Sequence, residues 1–338
     1  MKRAFTLLLG LIISGGALYY LLRGDIEGIQ NTISGGRYEY LIPGTVVYFA
    51  ALVTRGYRWR ILLGDRTNTW HAFNIMNVGY LLNNLPLRIG ELARAWLTTR
   101  LDPPIKFLTA FSSIVVERVL DVLAVVLLLA FSLTLLDVPN EVQASGAIIG
   151  IVAIIAITLM IYFAHHRHLP HQMLRWFNAK LPFLQRFNLV DFLDHALDGV
   201  EPLTSSKVRT QAILLTAISW ALSALSSYIF MLVFFDTVLL TGVFLSIVML
   251  ALAIAIPSVP GNLGTFEAAG VAGIYLAGMI ASTEAPENAP AVAYSLMLHA
   301  YSLGGYVILG ILGLWAEQTD LSQVMASVQQ KETVKEAA

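Results

Sequence analysis

The chain has 338 residues, 57% of them hydrophobic and 13% charged; soluble domains run at about 45–50% and about 25%, so a soluble globular protein and a large catalytic domain are both excluded. The formal net charge of −1 identifies no partner, because in a membrane protein the placement of Lys and Arg carries the information. Without cysteine there are no disulfides and no thiolate metal sites.

Met1-Lys2-Arg3 and the apolar residues 4–22 resemble a signal sequence, but no small-x-small pattern precedes Arg23, which predicts an uncleaved first helix. Further spans are predicted at 40–63, 107–136, 143–164, 210–235 and 291–315, each able to cross a hydrocarbon core of about 30 Å. Residues 69–84 are short for a crossing and end at Pro86. Residues 239–256 break at Pro257-Ser-Val-Pro260-Gly261 and resume through about 280. Such breaks are tolerated at membrane depth only where protein or water satisfies the freed backbone. They are placed at Pro86, Gly90, Pro257, Pro260, Gly261 and Gly264.

Pro86-Leu-Arg88-Ile-Gly90 aligns with Pro260-Gly-Asn262-Leu-Gly264, 174 residues later. The expected fold is therefore an all-α polytopic membrane protein with two broken or re-entrant hairpins in inverted-repeat arrangement. One membrane domain covers 1–320, with an amphipathic cytoplasmic segment at 165–209 and a polar tail at 321–338. Segments 55–66 and 165–209 hold four and six Lys or Arg, while the loops 137–142, 236–240 and 281–290 hold none. That pattern puts both termini on the cytoplasmic side of a plasma (inner) membrane.

Arg88, Glu91 and Arg94 are spaced so that the glutamate reaches both arginines along one side of a helix. Its start, after Pro86, suits a phosphate or another anion. The bland alternative is a salt-bridged knot closing the hairpin. Glu117, Arg118 and Asp121 lie in the middle of the 107–136 run, where an unpaired charge is expensive. Arg118 and Asp121 pair at i, i+3, leaving Glu117 for another helix, an arginine of the first hairpin by preference; a purely structural network is again the alternative. Glu267 has no charged neighbour in sequence from 237 to 283. It is open to three roles: proton carrier, contact for a substrate cation, or hydrogen-bond donor. His299 reads as a satisfied core histidine. His165, His166, His168 and His171 lack an i, i+4 ligand pair, so no metal is expected. Arg55, Tyr57, Arg58, Trp59 and Arg60 read as a membrane anchor at a helix end. No Walker loop, HExxH, GxSxG or nucleotide fingerprint is present. No enzyme activity, cofactor or nucleic-acid partner is expected.

PLRIGELARAW at 86–96, VVERVLD at 115–121 and PSVPGNLGTFEAA at 257–269, with RWRILL at 58–63, resemble the flippase-like family defined by the transmembrane region of lysylphosphatidylglycerol synthetases and their stand-alone relatives. The resemblance implies two re-entrant hairpins and movement of a lipid headgroup between leaflets. It implies a polar site of Arg88, Glu91, Arg94, Glu117, Arg118, Asp121 and Glu267. Asn262 stands where many members carry glycine, and His299 where an arginine is common. The aminoacyl-transferase domain of the synthetases is not in this sequence, so lipid lysylation is not expected.

The expected function is a flippase or scramblase for an anionic phospholipid or a polyprenyl-phosphate-linked lipid. Arg88, Arg94 and Arg118 would bind the headgroup; Glu91, Glu117, Asp121 and Glu267 would balance charge or carry protons. Membrane lipids and a lipid-modifying enzyme are the expected partners. The rival is a polytopic glycosyltransferase, or an accessory subunit for one, using external acids such as Asp25 and Glu27.

Overall fold

The computed structural model describes residues 2–23, 25–86, 88–136, 140–180, 201–255 and 259–326, together with 189, 190, 193, 194 and 197. Among them there is no strand. Every predicted span is a helix: α1 (Lys2–Leu22), α3 (Leu41–Leu62), α6 (Phe107–Thr134), α7 (Asn140–His165), α9 (Ser206–Met231) and α12 (Ala289–Ala316). Between them lie α2 (Ile26–Ser34), α4 (Thr69–Asn83), α5 (Gly90–Leu97), α8 (His168–Lys180), α10 (Leu240–Ala255) and α11 (Thr265–Leu276). Pro257 lies outside the described residues.

Polarity is inverted relative to a water-soluble protein. Ile12, Ile42 and Trp315 are 64%, 74% and 81% exposed, while Arg58, Arg94 and Glu117 are 0%, 1% and 0% exposed. A surface of that kind is stable against lipid and not against water. α9 and α12 are long and apolar enough to span by composition alone. α3 and α6 have the length but carry Arg55, Arg58 and Arg60, and Glu117, Arg118 and Asp121 respectively.

Helix α3 packs along α9, α4 along α12, α6 along α7, and α10 along α11. Four apolar clusters result among the described residues, two of them large. One gathers Leu52, Trp59, Ile75, Met76, Ala93 and Ile114 around α4 and α5; the other gathers Phe230, Val243, Val271, Ile274 and Tyr294 around α10 and α11. α4 starts where Asn68 Oδ1 accepts from His71 N at 2.8 Å, an N-cap of the usual kind. It then returns through Pro86 into α5, whose first amide, on Gly90, donates to Asn83 Oδ1 at 2.7 Å. Gly79 lets the two helices close, since a Cβ there would stand 2.6 Å from Arg94 Cγ and Cδ.

Two features depart from the sequence reading. α2 was not anticipated; its N-cap is Asp25, whose Oδ1 accepts from Gly28 N at 2.7 Å. In the polar tail, residues 321–326 are helical and Val324 is buried in the first cluster. Of the segment 165–209, α8 exposes Met173 and Trp176 at 49% and 58%, as an interfacial helix does.

Candidate functional site

Three helices bring their charges together, and α9 adds polar partners. Arg94 of α5 forks onto Glu117 of α6, with Nη1 and Nη2 donating to Oε1 and Oε2 at 3.1 and 2.8 Å. Its guanidinium lies 4.2 Å over the ring of Trp59, and Trp59 Nε1 donates to Ser113 Oγ at 3.1 Å. Arg58 of α3 donates to both oxygens of Asp121 at 2.8 and 3.1 Å and to Thr216 Oγ1 at 2.9 Å. Arg118 donates to Glu117 Oε1 at 2.9 Å and stands 3.6 Å from Glu91 and 3.7 Å from Asp121. Planar, bidentate pairing is the geometry in which guanidinium and carboxylate offset their desolvation best.

Burial grades across this cluster. The Arg94, Glu117 and Arg58 side chains are at most 1% exposed, Asp121 is 16%, Glu91 32% and Arg118 43%. The interior is therefore a closed pair of forks, and the Arg118–Glu91 edge is open.

The expected pairing of Glu117 with an arginine of the first hairpin is what forms. The expected Arg88–Glu91–Arg94 triad is not: Glu91 accepts from Asn83 Nδ2 at 2.7 Å, and Arg94 turns to α6. The anchor reading of Arg58 is also corrected. Tyr57 on the other side of α3 is exposed, whereas Arg58 and Trp59 point inward at 0%.

Arg88, just before α5, reaches the end of α10 and the segment that leads into α11. It donates to Ile254 O at 3.2 Å and to Asn262 Oδ1 at 2.6 Å. Arg88 and Asn262 are left-handed, with φ of 46° and 60°, a region costly for side chains other than Asn, Asp and Gly. Gly261 and Gly264 share it at 75° and 83°. Close by, Ser14 Oγ accepts from Val259 N at 3.2 Å, satisfying a backbone amide that the break leaves free.

Glu267 is not solitary. Its Oε2 accepts from Gly264 N at 2.7 Å and its Oε1 meets His299 Nδ1 at 2.6 Å. His299 Nε2 lies 2.6 Å from Gly261 O. A carbonyl only accepts, so Nε2 carries a hydrogen. Nδ1 is then the ring atom that faces the carboxylate. The sequence offers no local signal for this contact, because its partners are 32 residues apart on different helices.

An apolar cavity of about 900 Å³, open to the surface of the protein, adjoins the cluster between α6, α9 and α10, lined by Leu123, Leu127, Phe131, Ala224 and Phe244 among others. Thr216 and Trp220 form its polar border. Trp220 Nε1 donates to Asp121 Oδ1 at 3.2 Å.

Over residues 7–310, from within α1 to within α12, the chain matches the family described as the lysylphosphatidylglycerol synthase transmembrane region. The chain belongs to that family. Searches among curated proteins and solved structures returned no match. Membership establishes a membrane protein of the lysylphosphatidylglycerol synthase transmembrane family, and the inverted polarity of the fold agrees. Sequence reasoning missed Arg58, Thr216, Trp220 and the His299 contact as members of the polar site. The first could have been found from the i, i+4 faces of α3, which separate Arg55, Arg58 and Trp59 from Tyr57.

The Glu267–His299 contact has a stability consequence. His299→Ala strips Glu267 Oε1 and Gly261 O of a buried partner and is expected to cost about 1–3 kcal/mol. Glu267→Gln keeps both contacts, its amide donating to Nδ1 and its oxygen accepting from Gly264, and is expected to unfold close to wild type. Thermal unfolding in detergent compares the two.

Proposed function

We propose that the chain is a lipid flippase or scramblase that passes the headgroup of an anionic phospholipid or a polyprenyl-phosphate-linked lipid across the bilayer. The observation that carries this reading is a charge cluster between helices, closed at Arg94–Glu117 and open at Arg118–Glu91, beside an apolar cavity. Amphiphile transport needs both: a polar path for the headgroup and an apolar surface for the chains. Arg118, and Arg88 at the hairpin junction, contact the headgroup. Arg94 serves with Glu117, Glu91 and Asp121 in charge balance, since its fork is engaged and buried.

α4–α5 and α10–α11 act as re-entrant hairpins related as inverted repeats, entering from opposite sides. At about 1.5 Å per residue, the 15 residues of α4 fall short of a core of about 30 Å. Further support is that the aligned positions Arg88 and Asn262 share a left-handed backbone and bond to each other. The protein works in the plasma membrane with both termini cytoplasmic, its partners being membrane lipids and a lipid-modifying enzyme. Glu267 and His299 supply a proton-linked element, so Glu267→Gln flattens the pH dependence of transport.

The glycosyltransferase alternative needs free external acids. Asp25 is engaged as an N-cap, Asp236 pairs with Arg37 at 3.0 Å and Glu284 lies 3.6 Å from Arg23.

Transport is tested by following fluorescent anionic phospholipids across proteoliposome bilayers. Wild type moves them faster than empty vesicles, and Arg118→Ala removes most of the gain. Equal rates in all three would sink the proposal.

A further inference from the structure

Charges in the cluster do not balance once Arg55 is counted. Arg55 lies one turn before Arg58 on α3, half-buried, and its Nη2 donates to Ser223 Oγ of α9 at 3.0 Å. Its guanidinium carbon is 5.8 Å from the ring centre of Trp220. Its electrostatic neighbours are Tyr80, Asp121, Tyr306 and Tyr48, and Asp121 is already held by both nitrogens of Arg58. Among the described residues no carboxylate comes within salt-bridge distance of Arg55, and its Nε is buried without an acceptor. Arg55, Arg58, Arg94 and Arg118 thus face Glu91, Glu117 and Asp121, leaving one positive charge over. An uncompensated guanidinium among helices is expensive, and tyrosine hydroxyls around it can donate to the same acceptor.

We propose that Arg55 binds the single negative charge of a phosphodiester headgroup, with the lipid chains lying in the apolar cavity that begins at Trp220. This rests on the lipid-transport reading and assigns its substrate a charge. Trp220 marks the boundary: its Nε1 holds Asp121, its ring faces Arg55, and it lines the cavity. A phosphodiester neutralises the surplus. A phosphomonoester, with close to two charges, overshoots it, and a zwitterionic headgroup brings a cation that the site already has in excess.

The test is lipid binding to the full chain in detergent by native mass spectrometry, with phosphatidylglycerol, phosphatidic acid and phosphatidylcholine as probes of equal chain length. Wild type is expected to retain phosphatidylglycerol in preference to both others. Arg55→Met, which keeps length and loses charge, is expected to lose the preference over phosphatidylcholine, and Arg55→Lys to keep most of it. Unchanged selectivity in a folded Arg55→Met overturns the assignment and leaves transport standing. Should Arg55→Met not fold, wild type decides alone: equal retention of the three lipids, or a preference for phosphatidic acid, overturns the proposal. Absence of lipid movement in proteoliposomes with intact binding would count against the transport reading and not against the Arg55 site.

Discussion

Glu117→Ala is expected to destabilise the protein by about 3–5 kcal/mol, the range for removing one partner of a buried ion pair. Glu117 accepts from Arg94 through both oxygens and from Arg118 through one, with Arg58 4.0 Å away. Its loss leaves Arg94 at 1% exposure with no carboxylate on its fork. Water cannot enter cheaply, because Trp59 covers one face of the guanidinium and Arg94 as a whole is 1% exposed. Replacing both partners, as Arg94→Met with Glu117→Leu, removes the uncompensated charge and is expected to recover a large part of the loss. Thermal unfolding of wild type, the two single variants and the double variant in one detergent measures the coupling; additive losses would show that the fork does not hold α5 to α6.

Gly264→Ala is expected to be the most damaging of the single-atom changes considered. Gly264 has φ of 83°, and a Cβ added there collides with the carbonyl oxygen of Ser14. Backbone meets backbone at this point, so no side chain can swing aside. α1 must then shift away from α11, losing the Ser14–Val259 contact as well. Gly261→Ala is the control: its φ of 75° is similarly unfavourable, but a Cβ there meets nothing within 4 Å. It should cost only the left-handed penalty of about 1–2 kcal/mol, and Gly264→Ala clearly more. Equal unfolding temperatures for the two would contradict the close approach of α1 to the second hairpin.

What could be read from the sequence was set by length scale. Hydropathy located α1, α3, α6, α7, α9 and α12 because each is an unbroken apolar run of bilayer length, and proline and glycine located the ends of α4 and α10. The mid-helix charges of α6 announced a partner, since three ionisable groups cannot stay unpaired there; an arginine of the first hairpin was the preferred one, and Arg94 is the one found. Harder to read were contacts whose meaning depends on which face of a helix turns inward. Arg55 and Arg58 sit near a helix end, where basic residues usually anchor at the interface, and only the packing of α3 against α9 draws them inward. α2 left no hydropathy signal, being nine residues long with five polar positions.

Lipid transport as proposed above requires the Arg118–Glu91 edge to be a water-reachable path and not the rim of a structural knot. The absence of native cysteine makes this directly measurable. Single cysteines are placed at Arg118 and, one turn on, at Val122, which is 60% exposed on an apolar surface of α6. Only the thiolate reacts, and it forms in water. A hydrophilic, membrane-impermeant thiol reagent is expected to modify the protein through Arg118→Cys, with Glu91→Cys behaving alike, while Val122→Cys stays unmodified in intact membranes. An Arg118→Cys variant that folds yet is as inert as Val122→Cys would contradict it.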